Sequence, residues 1–346
     1  MTKVTDPVMQ ILSGDIGGTN ARLIFAEFDA SHSNIVAEKN YSSADFNGLI
    51  QLIDRFFSEH GIAAPIDAAC FAIAGPVECG AATVTNLPWV ISEQQLSQRL
   101  RTPRVKLIND LVAAAYGISE LQDTDILMLQ QGVAHDGALL NHDAVIIAAG
   151  TGFGVAHLVW LNDHYQAYSS EAGHVGFAPE NIQQNKLLAW LQKKHSHVSL
   201  EMLLSGRGLV TIYHFLHEVI GLAESSTINK AMQENDSAQV ITENALIDND
   251  FLCQKTLEMF IDIYGAAAGN TALQYYPIGI LYIAGGIAPK IKDKIMGRRF
   301  TDAFINKGLM SSNMKKITIK LIMQDKVNLH GALQVTQQTA SINLTS

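Results

Sequence analysis

The chain has 346 residues, a length that predicts two domains, each large enough to bury a core of its own. Hydrophobic residues make up 48% of it and charged residues 16%, and the net charge of −9 argues against nonspecific binding to nucleic acid or to an acidic membrane. Three scattered cysteines give no tetrahedral metal pattern and are typical of a reducing compartment. The first residues lack the profile of a secretory signal, so we expect a cytoplasmic protein.

Strands and helices alternate in the first third of the sequence. Short apolar runs predict strands at 9–13, 21–28, 68–73 and 105–108. Apolar residues at helical spacing predict helices at 46–60 and 93–101, the second with Ser92 as its N-cap.

The second part of the chain begins near residue 123. Its uncharged segment 144–161 is almost long enough to span a membrane, but its glycines would make a weak helix, so two buried strands around a Gly-Thr-Gly turn explain it better. The elements expected after it are helices at 186–195, from Ser199 onward and at 250–275, and strands at 280–284 and 317–323. Ser199 is the expected cap of its helix, with Glu201 in the first turn. Alternating strands and helices predict an α/β fold.

Two glycine-rich turns follow buried strands, in "GDIGGTN" at 14–20 and in "GTG" at 150–152. Neither matches a P-loop or a dinucleotide fingerprint. If both turns face one nucleotide, their backbone N–H groups and threonine hydroxyls would bind its phosphates, and glycine would avoid a clash with a Cβ. Asp15 would then hold a hydrated Mg²⁺, which needs few protein ligands. Either turn alone is better explained as a plain hairpin turn, whereas the pair favours a nucleotide site.

A third glycine element, "IAGGIAP" at 283–289, ends a predicted strand. Ligands of α/β sheets bind beyond the carboxyl ends of strands, so its glycines would let adenine or ribose lie against the backbone. A simple strand-to-helix loop explains this motif equally well.

A candidate base follows the strand at 105–108. Asp110 begins an alanine-rich helix, where the helix dipole favours its ionised form. Aspartate is also a preferred N-cap residue, which is the simpler explanation of its position. Asn109 could equally cap the helix and leave Asp110 free to face a ligand.

Candidate polyol ligands are Glu171 and His174 in "SSEAGHVGFAP". A carboxylate accepts hydrogen bonds from vicinal hydroxyls, and imidazole donates or accepts. Zinc is the alternative for this pair, but no third ligand is close in sequence. Glu201, in "HVSLEMLLSGRGL", is by itself better explained as a carboxylate in the first turn of a helix.

The ordered set of these motifs resembles the bacterial glucokinase family, in particular its proteobacterial, non-zinc group within the hexokinase–actin–Hsp70 ATPase superfamily. "GDIGGTNARL", "AAGTGFGVAHL" and "YIAGGIAP" are similar to the first phosphate, second phosphate and adenosine motifs of the family. "TNLPW", "LINDLVAAAYG", "EAGHVGFAP" and "HVSLEMLLSGRGL" are similar to its sugar-side motifs. The matches span residues 9 to about 335 in the family's order.

The resemblance implies two ribonuclease-H-like α/β domains of the actin-like ATPase fold, with the active site in the cleft between them. Residues 1–122 and 326–346 would form the small domain, and residues 123–325 the large one. The implied reaction is the phosphorylation of D-glucose at O6 by ATP, an entry step of glycolysis, with cleft closure excluding water.

The resemblance also assigns roles to single residues. Asp110 would be the general base, and the ligands of the sugar hydroxyls would be Asn109, Asp110, Glu171, His174 and Glu201. The residues assigned to the nucleotide are Gly14, Asp15, Ile16, Gly17, Gly18, Thr19, Gly150, Thr151, Gly152, Gly285 and Gly286. Mg²⁺ would be held by Asp15 through water. The expected partners are D-glucose, ATP and a second copy of the chain in a homodimer, without nucleic acid or membrane.

Some features depart from the pattern of the family. Arg207 stands where proline is usual, and several residues precede the first strand that the group often lacks. "FAP" at 177–179 stands where the related repressor–kinase family carries a cysteine-rich zinc motif, so we expect no zinc. A kinase for another hexose, such as fructose or mannose, is the main alternative. A sugar-responsive regulator would need a DNA-binding helix-turn-helix, and a chaperone-type ATPase would need a further domain.

Overall fold

The structure, a computed structural model, describes residues 8–29, 33–85, 87–132, 143–161, 164–247 and 249–341. Within these ranges no helix combines the length and the apolar character needed to cross a bilayer. The strands, in chain order, are β1 (Met9–Ile16), β2 (Asn20–Phe28), β3 (Ser33–Ser42), β4 (Ala68–Ile73), β5 (Val77–Glu78), β6 (Ala81–Thr83), β7 (Val90–Ser92), β8 (Val105–Asn109), β9 (Ile126–Gln130), β10 (Ala144–Ala149), β11 (Phe153–Leu161), β12 (His164–Ser170), β13 (Ile280–Ala284) and β14 (Thr318–Ile322).

The α-helices alternate with these strands, and short 3₁₀ turns lie between several of them. The α-helices, in chain order, are α1 (Leu49–His60), α2 (Glu93–Leu100), α3 (Asp110–Gly117), α4 (Ile182–Leu191), α5 (Gly206–Glu218), α6 (Ser226–Glu234), α7 (Ser237–Leu246), α8 (Phe251–Gln274), α9 (Lys292–Ile295), α10 (Arg298–Ile305), α11 (Ser311–Met314) and α12 (Val327–Ser341).

The chain divides into two compact units. Unit 1 consists of Met1–Leu121 and Lys326–Ser346, and unit 2 of Gln122–Asp325. In unit 1 a five-stranded sheet has the order β3-β2-β1-β4-β8, with β1, β4 and β8 parallel. These three strands therefore have their carboxyl ends at one edge of the sheet.

Both faces of this sheet are covered by helices. Leu12 of β1 packs in a core with Phe56 of α1, whereas Ile11, on the other face, packs with Leu329 of α12. Because side chains alternate along a strand and both faces of this sheet are covered, the adjacent residues Ile11 and Leu12 are both apolar and both buried.

In unit 2 a six-stranded sheet has the order β12-β11-β10-β13-β14-β9, with β10, β13 and β14 parallel. The long helix α8 is buried along most of its length. Gly265 and Gly269 on α8 let the backbone of α10 come close, because an added Cβ would lie 2.3 Å from the Phe300 carbonyl oxygen or 2.5 Å from that of Phe304. Glycine in this helix thus serves packing.

The two main sheets share one topology. In each, an antiparallel three-stranded meander (β1 to β3, or β10 to β12) is followed by two parallel strands, giving the spatial order 3-2-1-4-5. In unit 2, β9 is added at the edge beside β14. The α/β class and the two ribonuclease-H-like sheets are confirmed, and segment 144–161 forms the expected strand pair β10 and β11.

Some predicted elements are wrong in position. The helix expected at 186–195 is α4, four residues earlier, because the Asn181 side chain accepts a hydrogen bond from the Gln184 N–H and starts it there. The helix expected after Ser199 is absent at that point. Ser199 is buried and forms a β-bridge with Gly176, while α5 begins later, with Ser205 as its side-chain cap.

Two further details differ from expectation. Ser92 precedes α2 with extended backbone, but its side chain makes no cap hydrogen bond. Strand β3 and the α6–α7 pair were not predicted from the sequence. The sequence of β3 does not alternate clearly between apolar and polar residues, because an edge strand buries less of its surface.

Candidate functional site

In unit 1, two acidic residues stand at the carboxyl ends of the parallel strands β1 and β8, which are separated by β4. Asp15 lies near the end of β1 and pairs in register with Ala72 of β4, which in turn pairs with Ile108 of β8. Asn109 ends β8, and Asp110 begins α3. The fold therefore brings the predicted metal ligand and the predicted base to the same edge of one sheet.

The cap of α3 is Asn109. Its Oδ1 accepts hydrogen bonds from the N–H groups of Leu111 at 2.9 Å and Val112 at 3.4 Å. The explanation of Asp110 as the N-cap residue of α3 is therefore wrong. Asp110 Oδ1 accepts a hydrogen bond from the Leu111 N–H at 2.8 Å.

Gly75 is a site residue that sequence reasoning missed. Its carbonyl oxygen accepts a hydrogen bond from Asn109 Nδ2 at 3.2 Å and so fixes the Asn109 side chain. Its φ of 156° is unusual for other residues, and an added Cβ would lie 2.5 Å from the Thr83 carbonyl oxygen. The available signal was the Gly75-Pro76 pair directly after the buried strand β4.

The electrostatics of Asp110 fit a base. Burial, followed by the negative charge of Asp15, raises the pKa of Asp110 from 3.8 to about 6. Hydrogen bonds from the backbone and from Asn109 oppose this increase. The carboxylate is thus more basic than an ordinary aspartate and still mostly ionised at pH 7, which is the combination that general-base catalysis needs.

The first glycine turn joins β1 to β2 as a tight hairpin. The Gly17 N–H donates to the Asn20 carbonyl oxygen at 2.9 Å, and the Ser43 hydroxyl donates to the Gly17 carbonyl oxygen at 2.8 Å. Gly18 is partly buried and Thr19 is exposed. These two hydrogen bonds close the hairpin, and its tip is accessible to a ligand.

Two residues assigned to this motif lie within β1 rather than in the turn. Gly14 packs into the core, since an added Cβ would lie 2.8 Å from the side chains of Leu23 and Phe71. Ile16 is fully buried. Core packing by itself explains why residue 14 is glycine and residue 16 is isoleucine.

In unit 2, the second and third glycine motifs lie side by side. The parallel strands β10 and β13 end at Ala149 and Ala284, and the Ile287 N–H donates to the Ala149 carbonyl oxygen at 3.2 Å. Gly285 has a φ of 85°, and an added Cβ would lie 2.4 Å from the same oxygen. Both motifs thus line one sheet edge, where Thr151 and Gly286 are exposed.

Glu201 connects the second glycine turn to the loop that carries Glu171 and His174. Its Oε2 accepts a hydrogen bond from the Phe153 N–H at 3.1 Å, and its backbone N–H donates to the Gly173 carbonyl oxygen at 2.9 Å. Because residues 201–205 form turns rather than a helix, the explanation of Glu201 as a first-turn carboxylate is wrong.

Glu171 directly precedes a 3₁₀ turn that follows β12, and His174 is the last residue of that turn. Their side chains are 72% and 61% exposed, with Glu171 Oε2 3.8 Å from His174 Nε2. The intervening Gly173 packs against β11, where an added Cβ would lie 1.8 Å from the Phe153 carbonyl oxygen. The turn therefore rests on the sheet and leaves both side chains accessible to a polar ligand.

Two further residues belong to motifs of the predicted sugar side, Asn86 and Arg207. Asn86, in the "TNLPW" motif, lies outside the described residues. Arg207, which replaces a usual proline, is exposed in the first turn of α5. Proline is tolerated in a first turn because the backbone N–H there has no intrahelical partner, so either residue fits.

The carboxylates at the sheet edge of unit 1 are donors of the kind that Mg²⁺ prefers. Nowhere in the described part of the chain do three His, Cys, Asp or Glu side chains cluster as metal ligands. Mg²⁺ does not require such a cluster, because it keeps several waters and binds one or two carboxylates together with phosphate oxygens. The electrostatic repulsion between Asp15 and Asp110 is what a nearby cation would relieve.

The sequence is similar to that of known glucokinases over almost its whole length. A family model described as glucokinase matches residues 12–339. The glucokinase of Nostoc sp. (strain PCC 7120 / SAG 25.82 / UTEX 2576) is 39% identical over 336 residues, which cover 93% of this chain and 97% of the relative.

Solved structures agree. The crystal structure of glucokinase from an Antarctic psychrotroph has a TM-score of 0.78 and 33% identity, covering 95% of this chain and 99% of that one. A ROK family glucokinase from Streptomyces griseus, in complex with glucose and AMPPNP, has a TM-score of 0.59 and 18% identity, with coverage of 95% and 99%, and shares the fold alone. By the family model and by relatives of this identity and coverage, the chain belongs to the glucokinase family.

Proposed function

We propose that the protein transfers the γ-phosphoryl group of ATP to O6 of D-glucose, with Asp110 as the general base. Membership of the glucokinase family makes it an ATP-dependent hexose kinase. The single observation that carries the catalytic role is the environment of Asp110: it is held beside the cap of α3 with its pKa raised to about 6.

Asp110 would accept the proton that the 6-hydroxyl loses as the phosphoryl group arrives. Phosphoryl transfer is loose and depends mainly on positioning, so a correctly placed base also aligns the attacking oxygen. Asn109 supports this position, because its side chain is anchored to the Gly75 carbonyl and to the start of α3.

The ring hydroxyls would be bound by Asn109, Glu171, His174 and Glu201. Glu171 and His174 present accessible polar groups on a turn that is fixed to the sheet through Gly173. A carboxylate that accepts from a hydroxyl forms a charge-assisted hydrogen bond, which is stronger than a neutral one.

The residues proposed for nucleotide binding are those of the three glycine motifs. In unit 1 the tip of the β1–β2 hairpin offers Gly17, Gly18 and Thr19, and β1 supplies Gly14, Asp15 and Ile16 behind it. In unit 2 the adjacent motifs offer the residues Gly150, Thr151, Gly152, Gly285 and Gly286. The AMPPNP complex of the Streptomyces griseus structure supports a nucleotide role for the shared fold.

Asp15 is the residue proposed to hold Mg²⁺ through water. When bound, the ion would neutralise charge on the phosphate oxygens. Chelation with EDTA should therefore abolish turnover and added Mg²⁺ should restore it. Turnover that persists in EDTA would contradict this assignment.

A sugar panel tests the function directly. ADP release from purified protein should have its highest kcat/KM with D-glucose, compared with D-fructose and D-mannose, and the product should be glucose 6-phosphate. Asp110→Asn serves as the inactive control in the same assay. If kcat/KM were higher with another hexose, that hexose and not glucose would be the preferred substrate.

We further propose a cytoplasmic homodimer that acts at the entry of glycolysis. The isolated chain has a mass of 37.6 kDa. Light scattering after size exclusion should give twice that mass at micromolar concentration, and the mass of one chain would contradict the dimer.

A further inference from the structure

The Gly150–Gly152 turn contacts the carboxylate that we assign to sugar binding. Glu201 Oε2 accepts its hydrogen bond from Phe153, the residue directly after the turn. We propose that this turn positions the sugar site: Gly152 leaves room for the Glu201 carboxylate, and the Phe153 N–H fixes its rotamer. This role rests on the proposed function, because it takes Glu201 to be a sugar ligand.

The requirement for glycine at residue 152 is steric. An added Cβ there would lie 2.5 Å from Glu201 Oε2 and 3.2 Å from its Cδ. The φ of Gly152 is outside the left-handed region, so its backbone conformation does not itself require glycine. The group that an alanine would meet is the end of a flexible side chain, which would move while the backbone stays in place.

The backbone of Glu201 is held independently of its carboxylate. Its N–H donates to the Gly173 carbonyl oxygen at 2.9 Å, and its carbonyl oxygen accepts from the Ser205 hydroxyl at 2.8 Å. An alanine at residue 152 would therefore displace the carboxylate alone, away from the Phe153 N–H. The fold of unit 2 should survive this change.

Gly150 provides a matched control in the same turn. An added Cβ at Gly150 finds its nearest heavy atom, the Gly286 nitrogen, at 3.9 Å, which is ordinary van der Waals contact. Its φ is also outside the left-handed region. Gly150→Ala thus alters the turn without touching Glu201.

The consequence is a dependence of glucose affinity on the turn even when no nucleotide is present. A turn that only bound phosphate would leave the glucose Kd of the nucleotide-free protein unchanged. If the turn also sets the Glu201 rotamer, a change at residue 152 should weaken glucose binding directly. The same contact would let an occupant of the turn and a sugar affect each other's affinity.

The experiment measures the glucose Kd of full-length variants by calorimetry in the absence of nucleotide. The melting temperature of each variant is measured first, to show that it is folded. Gly152→Ala should weaken glucose binding about tenfold or more, the range for losing a hydrogen bond to a charged group. Gly150→Ala should leave the glucose Kd unchanged. In a Glu201→Ala background, adding Gly152→Ala should cause no further loss, because the two changes act through one carboxylate.

The outcomes separate this role from the proposed function. Wild-type protein that does not bind glucose would refute the function itself, and Glu201→Ala with unchanged affinity would remove Glu201 from the sugar site and this role with it. If Glu201→Ala weakens glucose but Gly152→Ala does not, or if the two losses add, the positioning role is overturned.

A second measurement does not depend on the folding of any variant. In ¹⁵N-labelled wild-type protein, saturating glucose alone should shift the Phe153 amide resonance, because its acceptor would engage the sugar. An unshifted Phe153 amide at saturation would overturn the positioning role.

Discussion

The main sheets of unit 1 and unit 2 have the same topology, but the carboxylates near their strand ends lie in different environments. In unit 1, Asp15 and Asp110 lie at ends of parallel strands close enough that the charge of one raises the pKa of the other. In unit 2, the Glu201 carboxylate accepts a backbone N–H beside the corresponding glycine turn. Each unit thus presents a hairpin turn and an acid at the same edge of an equivalent sheet.

The difference shows how environment sets the role of an acid. A carboxylate that is desolvated and faces another negative charge becomes a stronger base. A carboxylate oriented by a backbone donor keeps a fixed direction and suits ligand binding. We therefore expect a change at Asp110 in unit 1 to affect turnover and changes at Glu171 or Glu201 in unit 2 to affect affinity.

The largest effect is expected for Asp110→Asn. Asparagine keeps the shape of the side chain but cannot accept the proton of the 6-hydroxyl, so kcat should fall by about 10²–10⁴-fold. The glucose Kd should change much less. Steady-state kinetics and calorimetry on a folded variant measure both quantities.

The control for this variant is Asp45→Asn, an exposed acid in a 3₁₀ turn of the same unit, which should keep normal kcat. An Asp110→Asn protein with more than about a tenth of wild-type kcat falls short of the general-base range and would remove Asp110 from the catalytic role.

The converse test in unit 2 is Glu171→Gln. Loss of a charged group that accepts a hydrogen bond from a sugar hydroxyl should weaken glucose binding by about 1.5–3 kcal/mol. The glucose Kd should therefore rise roughly 10- to 150-fold, whereas the affinity for ATP should change far less. Glu218→Gln is a matched control, because Glu218 also lies beside a histidine, His214, at 3.9 Å, and is 51% exposed. Equal weakening of glucose binding and ATP binding would indicate a folding defect and would contradict a specific role of Glu171 in sugar binding.

The stability of Asp110→Asn sharpens the electrostatic part of the comparison. Because the folded-state pKa is raised from 3.8 to about 6, protonation of Asp110 stabilises the fold below pH 4, and this contribution is lost as the pH rises through 6. A neutral asparagine should therefore be more stable than the wild type above pH 6. A two-unit shift corresponds to about 3 kcal/mol, and partial exposure of Asp110 reduces our expectation to about 1–2 kcal/mol.

Urea unfolding at pH 7.5 and at pH 4 measures this gain, which should be present at the higher pH and absent at the lower one. A gain of equal size at both values would mean that it does not come from the ionisation of Asp110.

The smallest effect is expected in the pH profile. Since Asp110 must be ionised to act, kcat/KM should decline below about pH 6, approaching about tenfold per pH unit. Asp15→Asn removes the negative charge beside Asp110, so the acidic limb of its residual activity should move to lower pH. A limb that moves upward, or not at all, would mean that Asp15 does not act on Asp110 electrostatically.

The sequence by itself determined the elements whose signals are local. The buried strands β4 and β13 were predicted with their observed ends, because continuous apolar runs bounded by glycine or polar residues specify a buried strand. The β10–β11 pair was predicted for the same reason. The order of the glycine and polar motifs was sufficient to identify the family.

Only the tertiary structure decided contacts between distant segments. Asn109 and Asp110 are both good capping residues, and the choice of Asn109 depends on the Gly75 carbonyl, which another strand brings to it. Glu201 looked like a first-turn residue, because capping signals are local. Its carboxylate instead binds the Phe153 N–H, 48 residues away in the chain.

The raised pKa of Asp110 has the same origin. Burial and the charge of Asp15 act through space, and no pattern within the "LIND" segment contains either of them. Local sequence thus fixed which groups are available, whereas the parallel pairing of β1, β4 and β8 decided which of them meet and so which carboxyl has its pKa raised.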